Sequence, residues 1–471
     1  MDDATLTMLA ERLDDSFGLV EERSRCRDLV PISIADDRPA LHVEDYSAIP
    51  SITMDVGVEH YTSRALHRAG GDDVVAATGP ALPEYEQYLR ESLGLTPPAC
   101  VSVPAVHPRS AVFAALLQTP DVLRRIASEW APGEPVVIHP FLSLPAAWEV
   151  ARALARLRTT PVQVLGPLPG LATALNDKGL FLEVAEDALG SDAVVEYVRA
   201  SSVAEAATHA RRFLQSHQRA VVKLSAGSAG VAAFHIDRAT AADDLERALD
   251  SWLQQFMRSG WTPALVVGPW YEDVIGSPSA QLWVPPPNDG PPVVDGLMDQ
   301  LFAPGGQGIY DGCRPTTLPT AVTKQLHAVA MTLGRLFQQL GYVGRCSFDF
   351  ILRGADVMHA LPQLIECNAR WGAASTPLAF LNRVFGAGHE RPYVVRILSG
   401  FQRLRGIPFA RFAEVLHDVL YDRAADRGWC IPLNVGTLEP FGRLTVVTLG
   451  DSVTKALERQ DELRRLLVKR I

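Results

Sequence analysis

The run Leu364-Ile365-Glu366-Cys367-Asn368-Ala369-Arg370 concentrates more chemistry than any other stretch of this sequence. Read as a strand, it is expected to point Ile365 and Cys367 into a core and to project Glu366, Asn368 and Arg370 from the opposite face. Same-face neighbours on a strand stand ~6 to 7 Å apart, so an acid oxygen and an amide oxygen can converge on one cation. Magnesium takes hard oxygen ligands, usually one or two protein carboxylates plus substrate phosphates, and Glu366, Asn368 and the upstream Asp349 could supply them. Arg370 would then stand beside the metal and clamp a phosphate with its planar fork. Taken alone, the run is explained as well by an exposed Glu366–Arg370 salt bridge on an edge strand, with Asp349 solvated.

Two lysines lie where a phosphate could be met. Lys223 is near the end of the apolar run Ala220 to Leu224, and Ser225-Ala226-Gly227-Ser228-Ala229-Gly230 follows it. Small residues let backbone N–H groups approach a polyphosphate, and the lysine adds a charge. Because the lysine precedes the glycines and a strand follows, the geometry is a hairpin and not the helix N-terminus of a Walker loop. An ordinary glycine-rich turn is the competing explanation. Lys178, after Asn176-Asp177 at the head of an amphipathic helix, is the weaker case, because a lysine there is commonly solvated.

The elements that must position these residues are readable from periodicity. Val136-Val137-Ile138 reads as a buried strand, Ala146 to Leu157 as a helix started by Pro145, and Val162-Gln163-Val164-Leu165 as the next strand, which together make a parallel βαβ unit. From about 205 to 284 a helix (Ala204 to His217), strands (Ala220 to Leu224 and Val231 to Ile236), a helix (Ala241 to Met257) and a strand (Ala264 to Val267) suggest a mixed α+β unit. Pro319 to Leu340 carries Val322, Leu326, Val329, Leu333 and Phe337 at helical spacing, with Gly341 where a helix commonly ends. Arg345 to Leu352 alternates as a strand, with Phe348, Phe350 and Leu352 on one face and Ser347, Asp349 and Ile351 on the other. Pro285 to Pro292 must be a loop, since proline lacks the donor that helices and central strands need, and it is expected to interrupt a domain rather than end one. Phe409 to Val419 reads as a helix, Leu444 to Leu449 as a strand, and a charged terminal helix begins near Val453.

Composition narrows the function. A chain of 471 residues with 47% hydrophobic and 21% charged residues is expected to form two or three globular domains. A formal charge of -10 argues against a nucleic-acid partner. No stretch reaches the ~18 apolar residues of a membrane helix, and a secretory signal is not expected, since Met-Asp-Asp is not followed by a basic flank and an apolar run. The six cysteines are scattered without a CxxC pair, as expected of reduced thiols in the cytoplasm with no structural zinc. The histidines compose neither a triad nor a metal cluster. His139, after a predicted strand, either lines a cleft or is a hydrogen-bonded core residue.

Taken in order, Asn176-Asp177-Lys178, the strand lysine Lys223 with its small-residue loop, Pro269-Trp270-Tyr271-Glu272, Asp349 and Glu366-x-Asn368-x-Arg370 resemble the ATP-grasp superfamily over roughly residues 170 to 390. The resemblance implies a fold in which two β-rich lobes grip ATP. Lys178 and Lys223 match the lysines that reach its phosphates and adenine side, and Ser225, Gly227, Ser228 and Gly230 match the flap over the phosphates. Pro269 and Trp270 match the adenine hinge, with Glu272 for the ribose. Asp349, Glu366 and Asn368 match the ligands of Mg2+, with two ions and Mn2+ as a substitute, and Arg370 matches the arginine that steadies the transferring phosphoryl group. Within the superfamily the length of the leading domain, Val293 to Gln300 leading into Tyr310-Asp311-Gly312-Cys313-Arg314-Pro315, and the small C-terminal unit are similar to peptide ligases of the pheganomycin-biosynthesis type, for which a pre-ATP-grasp α/β domain (1–168), an ATP-grasp domain (169–400, lobes about 205–262 and 263–400) and a small C-terminal α+β domain (401–471) are expected. One departure is Gly268, where the family usually carries glutamate.

The activity implied is ligation. A carboxylate attacks the γ-phosphate of ATP to give an acyl phosphate, and an amine displaces phosphate to leave an amide and ADP. No protein nucleophile is needed, so Cys367 reads as core packing. Arg314 and Arg345 are candidates to hold a substrate carboxylate. Expected partners are small-molecule or peptide carboxylates and amines, with a homodimer allowed. The rival readings are an ATP-grasp phosphotransferase and a nucleotide-binding regulator without turnover.

Overall fold

The computed structural model describes residues 2–34, 38–49, 57–227, 232–239, 244–257, 264–305, 308–399 and 401–471. The leading segment builds a parallel sheet from five short apolar strands: β1 (Ala40–Val43), β2 (Val74–Ala77), β3 (Ala99–Ser102), β4 (Val136–Pro140) and β5 (Val162–Val164), in the order β3-β2-β1-β4-β5. Parallel neighbours need a crossover. Between β4 and β5 it is the helix Pro145–Arg158, which buries Ala147, Trp148, Val150, Ala151 and Leu154. The predicted βαβ unit is present, its helix one residue longer at each end.

A smaller antiparallel sheet follows: β6 (Val198–Ala200), β7 (Arg219–Leu224), β8 (Ala233–Asp237) and β9 (Leu265–Pro269), in the order β6-β9-β7-β8. The helices Val203–Ser216 and Leu245–Met257 close it over a core of its own that includes Ala210, Leu214, Val222, Leu249 and Val267. Of the strand expected from Val231, Val231 itself lies outside the described residues, as do 241–243 at the start of the expected second helix.

The central sheet comprises β10 (Val274–Gly276), β11 (Pro278–Val284), β12 (Val293–Phe302), β13 (Tyr310–Pro315), β14 (Gly344–Arg353), β15 (Leu361–Asn368), β16 (Tyr393–Leu398), β17 (Cys430–Leu433) and β18 (Leu444–Leu449). β15 pairs β14, β14 pairs β11 and, at its end, β10, and the sheet continues β12-β13-β16-β18-β17. Pro285 to Pro292 connects β11 to β12 and is fastened to the leading segment, since Asp289 accepts the Ile34 N–H at 2.8 Å and the Ser33 hydroxyl. The helix expected over Phe409 to Val419 stops at Val415. The carbonyl of Val419 is taken instead by the N–H groups of Trp429 and Cys430, which lead into β17.

One apolar core reaches from Leu41, Val43 and Ile138 of the leading sheet to Phe181, Phe337, Phe348 and Leu364. Phe348 stacks on Phe181 at 5.9 Å and meets Phe337 edge-on at 5.5 Å. With Phe348, Phe350 and Leu352 all buried inward, alternation turns Ser347 and Asp349 to the other face.

His67 joins the leading segment to the end of the chain. Its Nδ1–H donates to the Arg64 carbonyl at 2.9 Å, and its Nε2 lies 3.0 Å from the Tyr85 hydroxyl and 3.4 Å from the Asn434 N–H. Tyr85 donates onward to the Pro432 carbonyl of β17 at 3.0 Å. Burial pushes the imidazole down to about 3. The folded state therefore keeps His67 neutral, while the unfolded chain gains a proton below the ordinary value near 6.5. Stability contributed this way is complete above pH 6.5 and is lost as pH falls toward 3, at up to about 1.4 kcal/mol per pH unit. Urea unfolding at pH 7 and pH 5 should show the decline, and His67→Phe, though less stable at pH 7, should show a shallower one; equal slopes would refute the assignment.

Candidate nucleotide and metal site

The register of β14 against β15 sets Asp349 opposite Glu366 and Ser347 opposite Asn368. One residue further the register shifts, so that Phe350 faces Leu364 and Ile365 is the extra residue of a bulge. This corrects the expectation for Ile365. The bulge reverses the alternation, so Leu364 and Cys367 enter the core while Ile365 is only partly covered. Cys367 behaves as packing, its thiol pushed up by burial.

Asn368 Nδ2 donates to Asp349 Oδ2 at 3.1 Å and reaches Glu366 Oε1 at 3.5 Å. Lys178 Nζ lies 3.0 Å from Glu366 Oε2 and donates to the Gly227 carbonyl at 2.5 Å, while the Lys178 N–H donates to the Ser225 carbonyl at 3.0 Å. Lys178 is therefore not a solvated helix-start lysine; it is buried and ties the first turn of the small-residue loop to the acidic pair. It stands there because Asp177 caps its helix through the Leu180 N–H at 2.9 Å. Ser228 and Gly230 lie outside the described residues. Lys223, on β7 beside Ala233 and Val266, acts on the same carboxylate.

Charge divides the two acids. Burial, then the Glu366 carboxylate, pushes Asp349 up to about 7, against hydrogen bonds from Ser279 and Gln300. Burial also opposes ionisation of Glu366, yet Lys178 and Lys223 hold it down to about 2. Burial lowers Lys223 in turn, and Glu366 counters it. Among the described residues no group of three or more His, Cys, Asp and Glu side chains forms a metal cage. The set on hand is two carboxylates and an amide, which fits a hard cation that draws further ligands from phosphates. Reversing the Asn368 amide would present its oxygen to that cation.

Arg370 leaves the strand half-buried, its Nη1 donating to Asn176 Oδ1. The same oxygen accepts the Ala369 N–H at 3.2 Å, and Asn176 Nδ2 donates to the carbonyls of Ala172 at 2.7 Å and Ala369 at 3.3 Å. Asn176 thus positions the end of β15, a role that sequence did not disclose; its signal was one amide ending the apolar helix Pro169–Asn176.

On the hinge side Pro269 ends β9, and the Trp270 N–H donates to the Arg219 carbonyl at 3.0 Å. The Trp270 ring meets His235 edge-on at 4.5 Å. Glu272 is exposed, 3.5 Å from Arg219 Nε. A Cβ at Gly268 would stand 2.7 Å from the Glu196 carbonyl oxygen, so backbone leaves no room for the glutamate that the resemblance implied. The two substrate candidates are each paired with an aspartate of β12: Arg345 with Asp295 at 2.6 Å and Arg314 with Asp299 at 3.3 Å. Arg345 also lies over Trp283 at 5.5 Å and Trp371 at 5.1 Å. His139 accepts the Trp371 Nε1–H at 3.1 Å and also lines a cavity, so the two alternatives expected for it hold together.

Solved structures share this arrangement of elements. The ADP complex of an N5-carboxyaminoimidazole ribonucleotide synthetase aligns with a TM-score of 0.55 at 12% identity, covering 93% of this chain and 99% of that one. A biotin carboxylase–β,γ-ATP complex from Campylobacter jejuni gives 0.53 at 11%, covering 90% and 89%, and the Aspergillus clavatus carboxyaminoimidazole ribonucleotide synthase complexed with ATP gives 0.53 at 10%, covering 92% and 99%. The chain has the ATP-grasp fold. No family model and no curated protein matches its sequence.

Gly268→Ala places a methyl against an unyielding carbonyl. It should cost about 1–3 kcal/mol of stability, read by urea unfolding; a variant as stable as the parent would refute the close approach.

Proposed function

We propose that this chain is an ATP-dependent ligase that joins a carboxylate to an amine and releases ADP and phosphate, of the peptide-ligase type and serving specialised metabolism in the cytoplasm. The observation that carries the reading is Glu366, paired with Lys178 at 3.0 Å, with Asp349 and Asn368 beside it and Arg370 at the strand end. The fold neighbours include complexes with ADP and ATP, which supports the nucleotide.

On this reading Lys178, Lys223 and the Ser225–Gly227 turn receive the phosphates, and the hinge from Pro269 to Glu272 receives adenine and ribose. Asp349, Glu366 and Asn368 would hold Mg2+, as two ions replaceable by Mn2+, which would neutralise phosphate oxygens. A carboxylate oxygen of the substrate forms a bond to the γ-phosphorus as the bond to ADP breaks. The amine nitrogen then bonds to the acyl carbon, phosphate leaves, and the nitrogen loses its proton. Arg370 steadies the transferred phosphoryl group, so positioning and electrostatics supply the catalysis. We assign the substrate carboxylate to Arg345 in preference to Arg314, because its buried Nε has no hydrogen-bond partner.

ADP release over a panel of carboxylates and amines should require one of each. Release with a single acceptor would make the chain a phosphotransferase, and none would make it a regulator. Glu366→Gln should lower turnover about 100-fold or more with the fold intact by circular dichroism; undiminished turnover would overturn the site. Arg345→Ala should raise KM for the carboxylate and leave nucleotide affinity unchanged; an unchanged carboxylate KM would remove Arg345 from the substrate site.

A further inference from the structure

A cavity of about 530 Å³ lies between the leading sheet and the β11–β12 connection. Its floor is the sheet face bearing His42, Val137 and His139, and Trp283, Pro285 and Val293 stand across from it. None of the residues assigned above to the nucleotide or the metal lines it. Trp283 pairs Arg345, and Asp349 is four residues further along β14. At the rise of a strand that separation is ~13 Å.

Two buried side chains of its lining lack partners. His42, 3% exposed, shares Nε2–H with Asp73 at 3.2 Å, which leaves Nδ1 as an acceptor with nothing to accept. Arg68, 7% exposed, donates Nη2–H to Glu44 at 2.6 Å, and its Nε and Nη1 have no partner. Glu44 also faces Arg64 at 3.6 Å and accepts the Tyr46 hydroxyl at 2.6 Å, so one carboxylate serves two guanidinium groups, and the lining holds Arg38 beside Asp72, Asp73 and Asp289. His139 accepts from Trp371 through Nε2, so its proton is on Nδ1. Orphaned buried polar groups are costly, and a bound molecule's polar groups would satisfy them. Beside them Trp283, Val137 and the prolines offer an apolar wall.

We propose that this cavity binds a small α-hydroxy or α-amino acid with an apolar side group, at a site separate from the reacting centre. Its carboxylate is recognised by Arg68 and the His139 N–H, its hydroxyl or amine donates to His42 Nδ1, and its side group lies on Trp283. Arg68 stacks over Trp371 at 4.6 Å, and Trp371 follows Arg370 directly, so an occupant is one side chain removed from the phosphoryl site. The binding requires no turnover and stands apart from the ligase reading.

Calorimetry of the full chain with L-phenyllactate and with L-phenylalanine, each against its carboxamide, tests this. At least one acid should bind, its amide at least 10-fold more weakly, and saturating MgADP should not displace it. Val293→Trp, which fills the half-exposed mouth, should weaken binding at least 10-fold at an unchanged Tm. Binding of neither acid, equal binding of acid and amide, displacement by MgADP, or full affinity in Val293→Trp would each overturn the proposal.

Discussion

Two carboxylates stand directly across a strand pair, and the rest of the site answers that one unfavourable contact. Like charges opposite each other on neighbouring strands destabilise the pair. The register of β14 against β15 nevertheless sets Asp349 against Glu366, with Asp349 buried and Glu366 half-buried. Three neighbours offset the repulsion. Asn368 donates to one acid and reaches the other, and Lys178 and Lys223 keep Glu366 ionised while Asp349 is driven toward its protonated form.

The lysines come from separate parts of the chain, so the acids also hold those parts together. Lys178 belongs to the helix that follows the leading sheet, and Lys223 belongs to the small sheet with its own core. Through Gly227 and Ser225, Lys178 fixes the start of the small-residue loop relative to the central sheet. Asn176, two residues earlier, fixes Ala369 and Arg370 with one side-chain amide. A short stretch of chain, Asn176 to Lys178, thus sets the end of β15 and the approach to the loop together.

Periodicity disclosed what is local. The alternation of Phe348, Phe350 and Leu352 against Ser347 and Asp349 follows from one strand alone, and so did the helix after Pro319. The bulge at Ile365 was not readable, because it is a property of the pairing: Leu364 must meet Phe350 in the core while Glu366 meets Asp349. The glycine at 268 had no evident reason until Glu196, far away in sequence, supplied the carbonyl that excludes a side chain. The Arg68, Trp371 and Arg345 layer was invisible for the same reason, since its members come from three distant segments and none is marked by its neighbours.

The unliganded charge balance explains why a metal suits this site, on the reading proposed above. Lys178, Lys223 and Arg370 are three cations set against Asp349 and Glu366, so the lysines that would meet phosphates already serve Glu366. A bare polyphosphate would compete with Glu366 for them and leave two buried acids facing added negative charge. Asp349 and Glu366 would hold a divalent ion, which would serve as their counter-ion and leave the lysines to the nucleotide. On that reading the ion that would stabilise the carboxylates would also make the cations available.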